Sequence, residues 1–282
     1  MMINHKKNHK IINNRPGNAE NKNRDGSLWI CGKHPVFLAL LKARRKIFTI
    51  LVTKNSQIIL QEFLAKNNLL SKYQQLIKLT DNDHIKSLVA DEVHQGLALN
   101  CSYLKTNSQD DFLTEIYNLK SKSPASDKLI LPPILIMDQL QDPHNIGAII
   151  RSAVAFGVKK IVFLERNFPK ESSVICKSSS GMIEFVDLIL ISGLNNFIEK
   201  LKVVGYWCIG LDGEGSVLIG EIKDYQNIAL IIGSEGSGMR QLIKKNCDIV
   251  AKINLNKEVE SLNASTAASI ALYQLFGKNH EI

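Results

Sequence analysis

The 282-residue chain lacks long hydrophobic runs and has few cysteines. Its longest apolar run, Leu129–Met137, has nine residues and contains two prolines, whereas a membrane helix needs about 18 or more apolar residues. The five cysteines lie at least 32 residues apart and form no C-x-x-C pair, which argues against a zinc site and a disulfide framework. The N-terminus lacks the apolar segment of a secretory signal. We therefore expect a reduced, cytoplasmic protein without metal and without a membrane association.

The formal charge of +8 is unevenly distributed. Residues 1–26 carry six Lys or Arg against two acids, and residues 27–105 carry eleven against five. Residues 106–128 and 129–282 each carry one more acid than bases. A basic half joined to a neutral half favours contact with a polyanion such as RNA, although a merely solvated basic surface has the same composition.

The pattern of apolar runs predicts two α/β units. Residues 1–26 are rich in Asn and Lys and poor in apolar residues, which predicts a disordered basic tail. Residues 27–104 alternate short helical and strand patterns, and residues 105–132 are polar enough to indicate a linker with one internal helix. Residues 133–282 alternate apolar strands with helices, which predicts a mostly parallel sheet covered on both faces.

The first segment with chemical potential runs from Asp142 to Arg151. Pro143 favours a turn, and Asn145 is placed to cap the helix that follows. Arg151 has Gly147 four residues before it and Ala155 four after it, so small residues line its stripe of the helix. This arrangement predicts an arginine accessible to a ligand, although an ion pair would explain it equally well.

The second segment follows an apolar strand, Ile228–Ile232, and contains three glycines spaced G-x-x-G-x-G. The spacing matches neither the P-loop nor the dinucleotide fingerprint, which weakens an alternative assignment as a nucleotide-binding oxidoreductase. Glu235 inside the loop would repel a pyrophosphate, so a neutral or cationic ligand is favoured.

The third segment, Ser261 to Asn263, precedes a helix with an alanine stripe suited to close packing, either within the fold or across a dimer.

Taken together, the three segments resemble the SpoU/TrmH family of the SPOUT superfamily, the RNA 2′-O-ribose methyltransferases. The matching positions are Pro143, Asn145, Gly147 and Arg151 in the first segment, Gly233, Glu235, Gly236, Gly238 and Met239 in the second, and Ser261, Leu262 and Asn263 in the third. Gly32 with Val36, and His94 to Ala98, are similar to the N-terminal RNA substrate-binding domain that accompanies the 23S rRNA guanosine 2′-O-methyltransferase type.

The resemblance implies a deep trefoil knot, S-adenosylmethionine as cofactor, and a homodimer whose site includes both chains. It implies that Gly233, Ile253 and Leu262 contact the cofactor, largely through their backbones. It also implies that the catalytic positions are Arg151, Asn145, Glu235, Ser261 and Asn263. The implied reaction is attack of a ribose 2′-oxygen on the sulfonium methyl group.

Two alternatives share the fold. One is a tRNA 2′-O-methyltransferase, although the N-terminal domain favours rRNA. The other is a non-catalytic RNA-binding or ribosome-assembly protein, against which the complete set of polar motif residues argues. Because arginine stays protonated in proteins, we expect Arg151 to grip the phosphate beside the target ribose rather than to act as a base.

Overall fold

The computed structural model describes residues 26–89, 92–122, 129–223, 225–234 and 238–277. The predicted N-terminal tail lies outside these residues, apart from Gly26. Within the described ranges, no helix has the length and apolar character needed to cross a membrane.

The N-terminal unit is a four-stranded sheet with helices, as the alternating pattern predicts. Its strands and helices are β1 (Ser27–Cys31), α1 (Lys33–Lys42), β2 (Ile47–Val52), α2 (Lys54–Lys66), α3 (Leu70–Tyr73), β3 (Ile77–Leu79), α4 (Asn82–Val89) and β4 (Leu97–Ser102). The strand order is β1-β4-β2-β3, in which β4 runs antiparallel to both neighbours and β3 runs parallel to β2.

The C-terminal unit is an eight-stranded sheet in which all seven strand pairings are parallel. Its elements are β5 (Thr106–Ser108), α5 (Gln109–Lys122), β6 (Ile134–Met137), α6 (Pro143–Ala155), β7 (Lys160–Leu164), α7 (Ser173–Ser178), β8 (Asp187–Ile191), α8 (Leu194–Val203), β9 (Trp207–Leu211), β10 (Val217–Leu218), β11 (Ile228–Ile232), α9 (Gln241–Asn246), β12 (Ile249–Lys252) and α10 (Ala264–Phe276). The strand order is β10-β12-β9-β11-β6-β7-β8-β5, so the predicted parallel sheet is confirmed.

Both faces of the large sheet are covered because successive strand residues point to opposite sides. In β6, Leu135 and Met137 join the core that includes side chains of α6, α7 and α10. Ile134 and Ile136 of the same strand join a second core with α5, α8 and α9. All four residues are fully or nearly fully buried, which explains why the strand is apolar at every position.

The segment predicted as a linker, residues 105–132, contributes directly to the large sheet. Within it, β5 pairs in parallel with β8 at the sheet edge. The helix α5 is longer than expected and buries Phe112, Leu113 and Ile116. The prediction underestimated this region because its few apolar residues are confined to one helix face, while polar residues dominate its composition.

The two units are held together by a buried charged cluster. Arg45, which follows α1, forms ion pairs with Glu171 and with Glu184 Oε1, the latter at 2.6 Å. All three side chains are at most 4% exposed. Glu171 also accepts a 2.9 Å hydrogen bond from the amide of Leu104. Burial and the two carboxylates act in opposite directions on Arg45, and its pKa rises above the ordinary value.

We expect Arg45→Met to lower the free energy of unfolding by about 3–5 kcal/mol, because two carboxylates would be left buried without their cation. Lys202→Met is the matched control, since Lys202 pairs with Asp248 through side chains that are 35% and 23% exposed, and such pairs contribute about 0–1 kcal/mol. Urea unfolding of the two variants measures the difference. Equal losses would contradict a structural role for the buried cluster.

Candidate functional site

A cleft of about 480 Å³ opens at the carboxyl edge of the large sheet. Its walls are residues 139–142 after β6, Asn167 after β7, and Ser234 after β11. The strand β6 lies between β7 and β11: the strands that follow β6 are added first on its β7 side and then, from β9 onwards, on its β11 side, so the order of strand addition switches at this point. Open α/β sheets bind ligands at such a switch point.

The helix α6 begins beside this cleft, one turn earlier than the sequence predicts. Asp142 caps it, accepting a 3.0 Å hydrogen bond from the amide of His144, and Pro143 occupies the first turn. The predicted capping role of Asn145 is therefore wrong, because Asp142 already satisfies the helix start. Asn145 lies inside the first turn and is only 6% exposed.

The small residues beside Arg151 were predicted to give a ligand access to the helix, but in the structure Gly147 serves helix packing. Gly147 is buried against α7, where a Cβ would lie 2.9 Å from the carbonyl oxygen of Ile175 and would collide with Ser178. Gly147 therefore permits close packing of α6 on α7 rather than ligand access. Arg151 is nevertheless exposed, as predicted, and has no ion-pair or hydrogen-bond partner among the described residues.

The glycine loop after β11 closes on its own backbone. Ser234 and Gly238 exchange two N–H···O bonds of 3.2 Å. A Cβ on Gly233 would lie 2.6 Å from the amide of Met239, and Gly238 has a φ of 63°. Only glycine fits these two positions. Glu235 and Gly236 lie outside the described residues, so the placement of Glu235 stays a prediction.

Two carboxylates missed in the sequence analysis hold this loop. Asp138, directly after β6 and 1% exposed, receives hydrogen bonds of 3.1 and 2.8 Å from the guanidinium of Arg240. Asp212, directly after β9, receives a 2.9 Å bond from the amide of Met239. The signal was present, since each acid follows a strand and Arg240 follows the glycines. However, the strand order needed to bring them together was unknown.

The electrostatics of Asp212 favour its charged form. Burial alone would raise the pKa of this carboxyl, but hydrogen bonds from Lys244 and from the amides of Met239 and Glu214 outweigh that effect and lower it. Because the folded-state pKa lies below the unfolded value, Asp212 stabilises the fold above the unfolded pKa. That contribution is lost as the pH falls through the folded pKa.

The third segment is tied to α6 by a chain of hydroxyl groups. Asn263 caps α10 by accepting a 2.9 Å bond from the amide of Ser265. The hydroxyl of Ser269 bonds to the carbonyl of Ser265 and, at 2.7 Å, to the hydroxyl of Ser152 on α6. Ala264, Ala268 and Ala271 of the predicted stripe are buried, and Ala267 is partly buried. The stripe thus packs within the fold.

The predicted cofactor residues lie along one edge of the sheet. Gly233 follows β11 and Ile253 follows β12, and these strands are separated by β9, a distance of about 10 Å at the usual strand spacing. Leu262 is half-buried, whereas Ser261 and Asn263 are exposed. Within the described ranges, no cluster of His, Cys, Asp or Glu side chains could hold a metal ion. The edge therefore offers backbone groups, amides and hydroxyls as its binding groups.

We expect Gly233→Ala to lower the free energy of unfolding by about 1–3 kcal/mol, because the new methyl group forces the loop backbone apart. Gly213→Ala is the matched control: a Cβ there meets nothing within 4 Å, and the change should stay within about 0.5 kcal/mol. Denaturant unfolding measures both. A neutral Gly233→Ala would show that the loop is not closely packed.

Comparisons with known proteins agree with this geometry. Residues 132–273 match the SpoU rRNA Methylase family, and residues 29–106 match the family described as RNA 2′-O ribose methyltransferase substrate binding. A protein of Staphylococcus saprophyticus named as a TrmH family tRNA/rRNA methyltransferase is 34% identical over 236 residues, covering 80% of this chain and 90% of the relative. A Staphylococcus aureus relative of the same name is 33% identical over 232 residues, with the same coverage.

Solved structures share the fold. The SpoU methyltransferase AviRb from Streptomyces viridochromogenes, in complex with the cofactor AdoMet, has a TM-score of 0.69 at 19% identity, covering 93% of this chain and 94% of its own. An AdoMet-bound rRNA methyltransferase from Sinorhizobium meliloti has a TM-score of 0.70 at 17% identity, covering 92% and 90%. The resemblance found in the sequence is confirmed: the chain belongs to the SpoU rRNA methylase family of RNA 2′-O-ribose methyltransferases.

Proposed function

We propose that this chain transfers the methyl group of S-adenosylmethionine to the ribose 2′-hydroxyl of a guanosine in 23S rRNA. The observation that carries the proposal is the cleft at the sheet switch point, which lies between the first turn of α6 and the closed glycine loop. The match of residues 29–106 to a substrate-binding family supports a ribosomal target, because that domain accompanies the rRNA type in the resemblance described above.

The glycine loop suits the cofactor. Gly233 and Gly238 leave no room for side chains, so backbone groups of the loop can approach a ligand closely. Gly233, Ile253 and Leu262 would hold the cofactor along this edge, largely through their backbones. When bound, the cofactor supplies an electrophilic methyl group on a sulfonium centre. The glycine spacing of the loop is not that of a dinucleotide-binding or P-loop motif, and the loop sequence contains Glu235. Both features favour such a cationic ligand over a dinucleotide.

Arg151 would bind the phosphate next to the target ribose. Its guanidinium is exposed and presents a fork of N–H donors. A bidentate grip on the phosphate fixes the ribose and favours negative charge developing on the 2′-oxygen. Asn145 would orient the ribose, and Glu235, Ser261 and Asn263 would complete the substrate side of the site. Positioning then supplies much of the rate acceleration.

The geometry of α6 supports a site shared by two chains. Asn145 and Arg151 are six residues apart, which places them about 9 Å apart along the helix axis and about 120° apart around it. Asn145 is buried, whereas Arg151 is exposed. We therefore propose a homodimer in which Arg151 of one protomer completes the site formed by Asn145 of the other.

The path of the last segment supports the proposed knot. β12 lies beyond β9, on the far side of β11 from β6, yet α10 directly after it packs on α6 through Ser269 and Ser152. The chain must therefore return across two strands to reach α6. Threading of this return segment through the loop after β11 would produce the trefoil.

The decisive experiment incubates the full chain with methyl-labelled S-adenosylmethionine and either 23S rRNA or tRNA transcripts. We expect label in 23S rRNA at one guanosine ribose, located by mapping of 2′-O-methyl marks. Label in tRNA alone would replace the ribosomal target with the tRNA alternative. Binding of either RNA without any label would identify the chain as a non-catalytic RNA-binding protein.

Arg151→Lys retains the positive charge and removes the bidentate fork. We expect kcat to fall by about 10²–10³-fold, the usual effect of losing one preorganised donor, while cofactor affinity measured by calorimetry stays unchanged. Undiminished turnover in this variant would exclude the proposed role. A parallel loss of cofactor affinity would place Arg151 in the cofactor site instead.

Mixing two inactive variants tests the shared site. We expect Arg151→Ala and Asn145→Ala to be inactive separately, while random exchange into mixed dimers restores about one quarter of the wild-type sites. The measurement is methyl transfer after co-refolding, with thermal unfolding confirming that both variants fold. No recovery on mixing would place Arg151 and Asn145 in the site of the same chain.

A further inference from the structure

A second cleft, about 470 Å³ in volume, lies in the N-terminal unit and has no role in the site described above. It is bounded by the start of α2, the start of α4 and the loop of residues 92–96. Its lining includes the polar side chains of Asn55, Asn82, Lys86 and His94. Its volume and polar lining suit a nucleotide-sized ligand.

The start of α2 presents unused donors to this cleft. Its capping residue Thr53 makes no side-chain bond to the helix, and no acidic residue lies in the first turn. Thr53 is only 7% exposed, lines the cleft, and its hydroxyl has no partner among the described residues. The amides of Lys54 and Asn55 have no acceptor there either. An unpartnered hydroxyl on a largely buried residue that lines the cleft, together with free helix amides, favours an anion.

The charges around the cleft are positive on balance. Lys86 lines it. Among the described residues, the acid that lines the cleft is Glu92, which is paired with Lys177 at 3.5 Å. Burial and the positive charges of Lys177 and Lys86 lower the pKa of His94, which favours its neutral form.

The loop of residues 92–96 is held by contacts on both sides and connects the cleft to the catalytic unit. The carbonyl of Gln95 accepts a 2.9 Å bond from Ser56, and a Cβ on Gly96 would collide with Thr53 and Ser56. On the other side, Lys177 of α7 donates a 2.7 Å bond to the carbonyl of Val93. The cleft therefore has a fixed position relative to α7, which packs against α6 through Gly147.

We propose that this cleft binds a backbone phosphate and the attached nucleotide of the RNA substrate, at a position away from the ribose that is methylated. The inference rests on the proposed function, because RNA is the anion that the enzyme must hold. Thr53 and the first amides of α2 contact the phosphate, Lys86 neutralises it, and the side chains of Asn55 and His94 face the nucleotide. The cleft thus extends the RNA contact beyond the catalytic edge.

The test compares Thr53→Val and Lys86→Gln with Lys66→Gln as the matched control. Lys66 lies in the last turn of α2, about 18 Å from the cleft along the helix, and the control removes the same charge as Lys86→Gln. A fluorescently labelled 23S rRNA fragment is the probe. We expect Lys86→Gln to reduce the slope of log Kd against log salt by about one. Thr53→Val should weaken binding several-fold, whereas Lys66→Gln should leave both quantities unchanged.

Ultraviolet cross-linking gives an independent location. We expect RNA cross-links in residues 53–57 or 82–96 of the full chain, and the same peptides should cross-link in the Arg151→Lys variant, which tests binding without turnover. Guanosine monophosphate in excess should not displace the RNA. Displacement by the free nucleotide would overturn the proposal in favour of a mononucleotide site.

Failure of this proposal differs from failure of the proposed function. If the cleft variants bind RNA as tightly as Lys66→Gln does and transfer the methyl group normally, the proposed role of the cleft is overturned. The enzyme assignment then stands. If RNA cross-links to cleft peptides but no methyl group is transferred, the RNA-binding role of the cleft is supported and the enzyme assignment is overturned. Cross-links confined to other peptides would overturn the cleft directly.

Discussion

The close approach of backbone to backbone in the glycine loop is the constraint on which the rest of the site depends. A Cβ on Gly233 would collide with the backbone of Gly238, and Gly238, with a φ of 63°, would place a Cβ 2.6 Å from the carboxylate of Asp212. The loop therefore needs anchors outside itself, and it has two. Asp212 binds the Met239 amide, while Asp138 binds Arg240. These bonds connect the loop to β9 and β6, the two neighbours of β11, so the cleft wall is fixed from both sides.

Much of this architecture could be predicted because its signals are local. The apolar run Ile228–Ile232 and the helix Ala264–Phe276 have the predicted bounds, since uninterrupted apolar patterns between glycines or polar caps leave few alternatives. The catalytic candidates were found by the joint pattern of three segments. No local pattern could reveal the Asp138–Arg240 pair, whose members are separated by 102 residues and meet only because β11 pairs with β6.

The errors have physical causes of the same kind. Asn145 and Asp142 can both cap a helix, and Asp142 prevails because Pro143 after it is favoured in the first helical turn. Gly147 was interpreted as part of a ligand-accessible stripe, but its small size serves contact with α7, a helix whose position depends on tertiary structure. The short strand β5 was missed because it has no apolar run. It lies at the edge of the sheet, and its residues Thr106–Ser108 are polar or exposed.

The docking of the two units would join the two proposed binding surfaces into one. A flexible linker would let the N-terminal unit hold RNA anywhere within its reach, and the target ribose would have to find the methyl donor by diffusion of the tethered chain. The buried Arg45 cluster and the Lys177 contacts instead fix the N-terminal unit against α7 and the segment before β8. RNA held by that unit then lies at a set distance from α6. Under the proposed mechanism, rate acceleration depends on positioning rather than on proton transfer by a strong base, so a fixed interface between the units would contribute to catalysis as directly as the residues of the cleft.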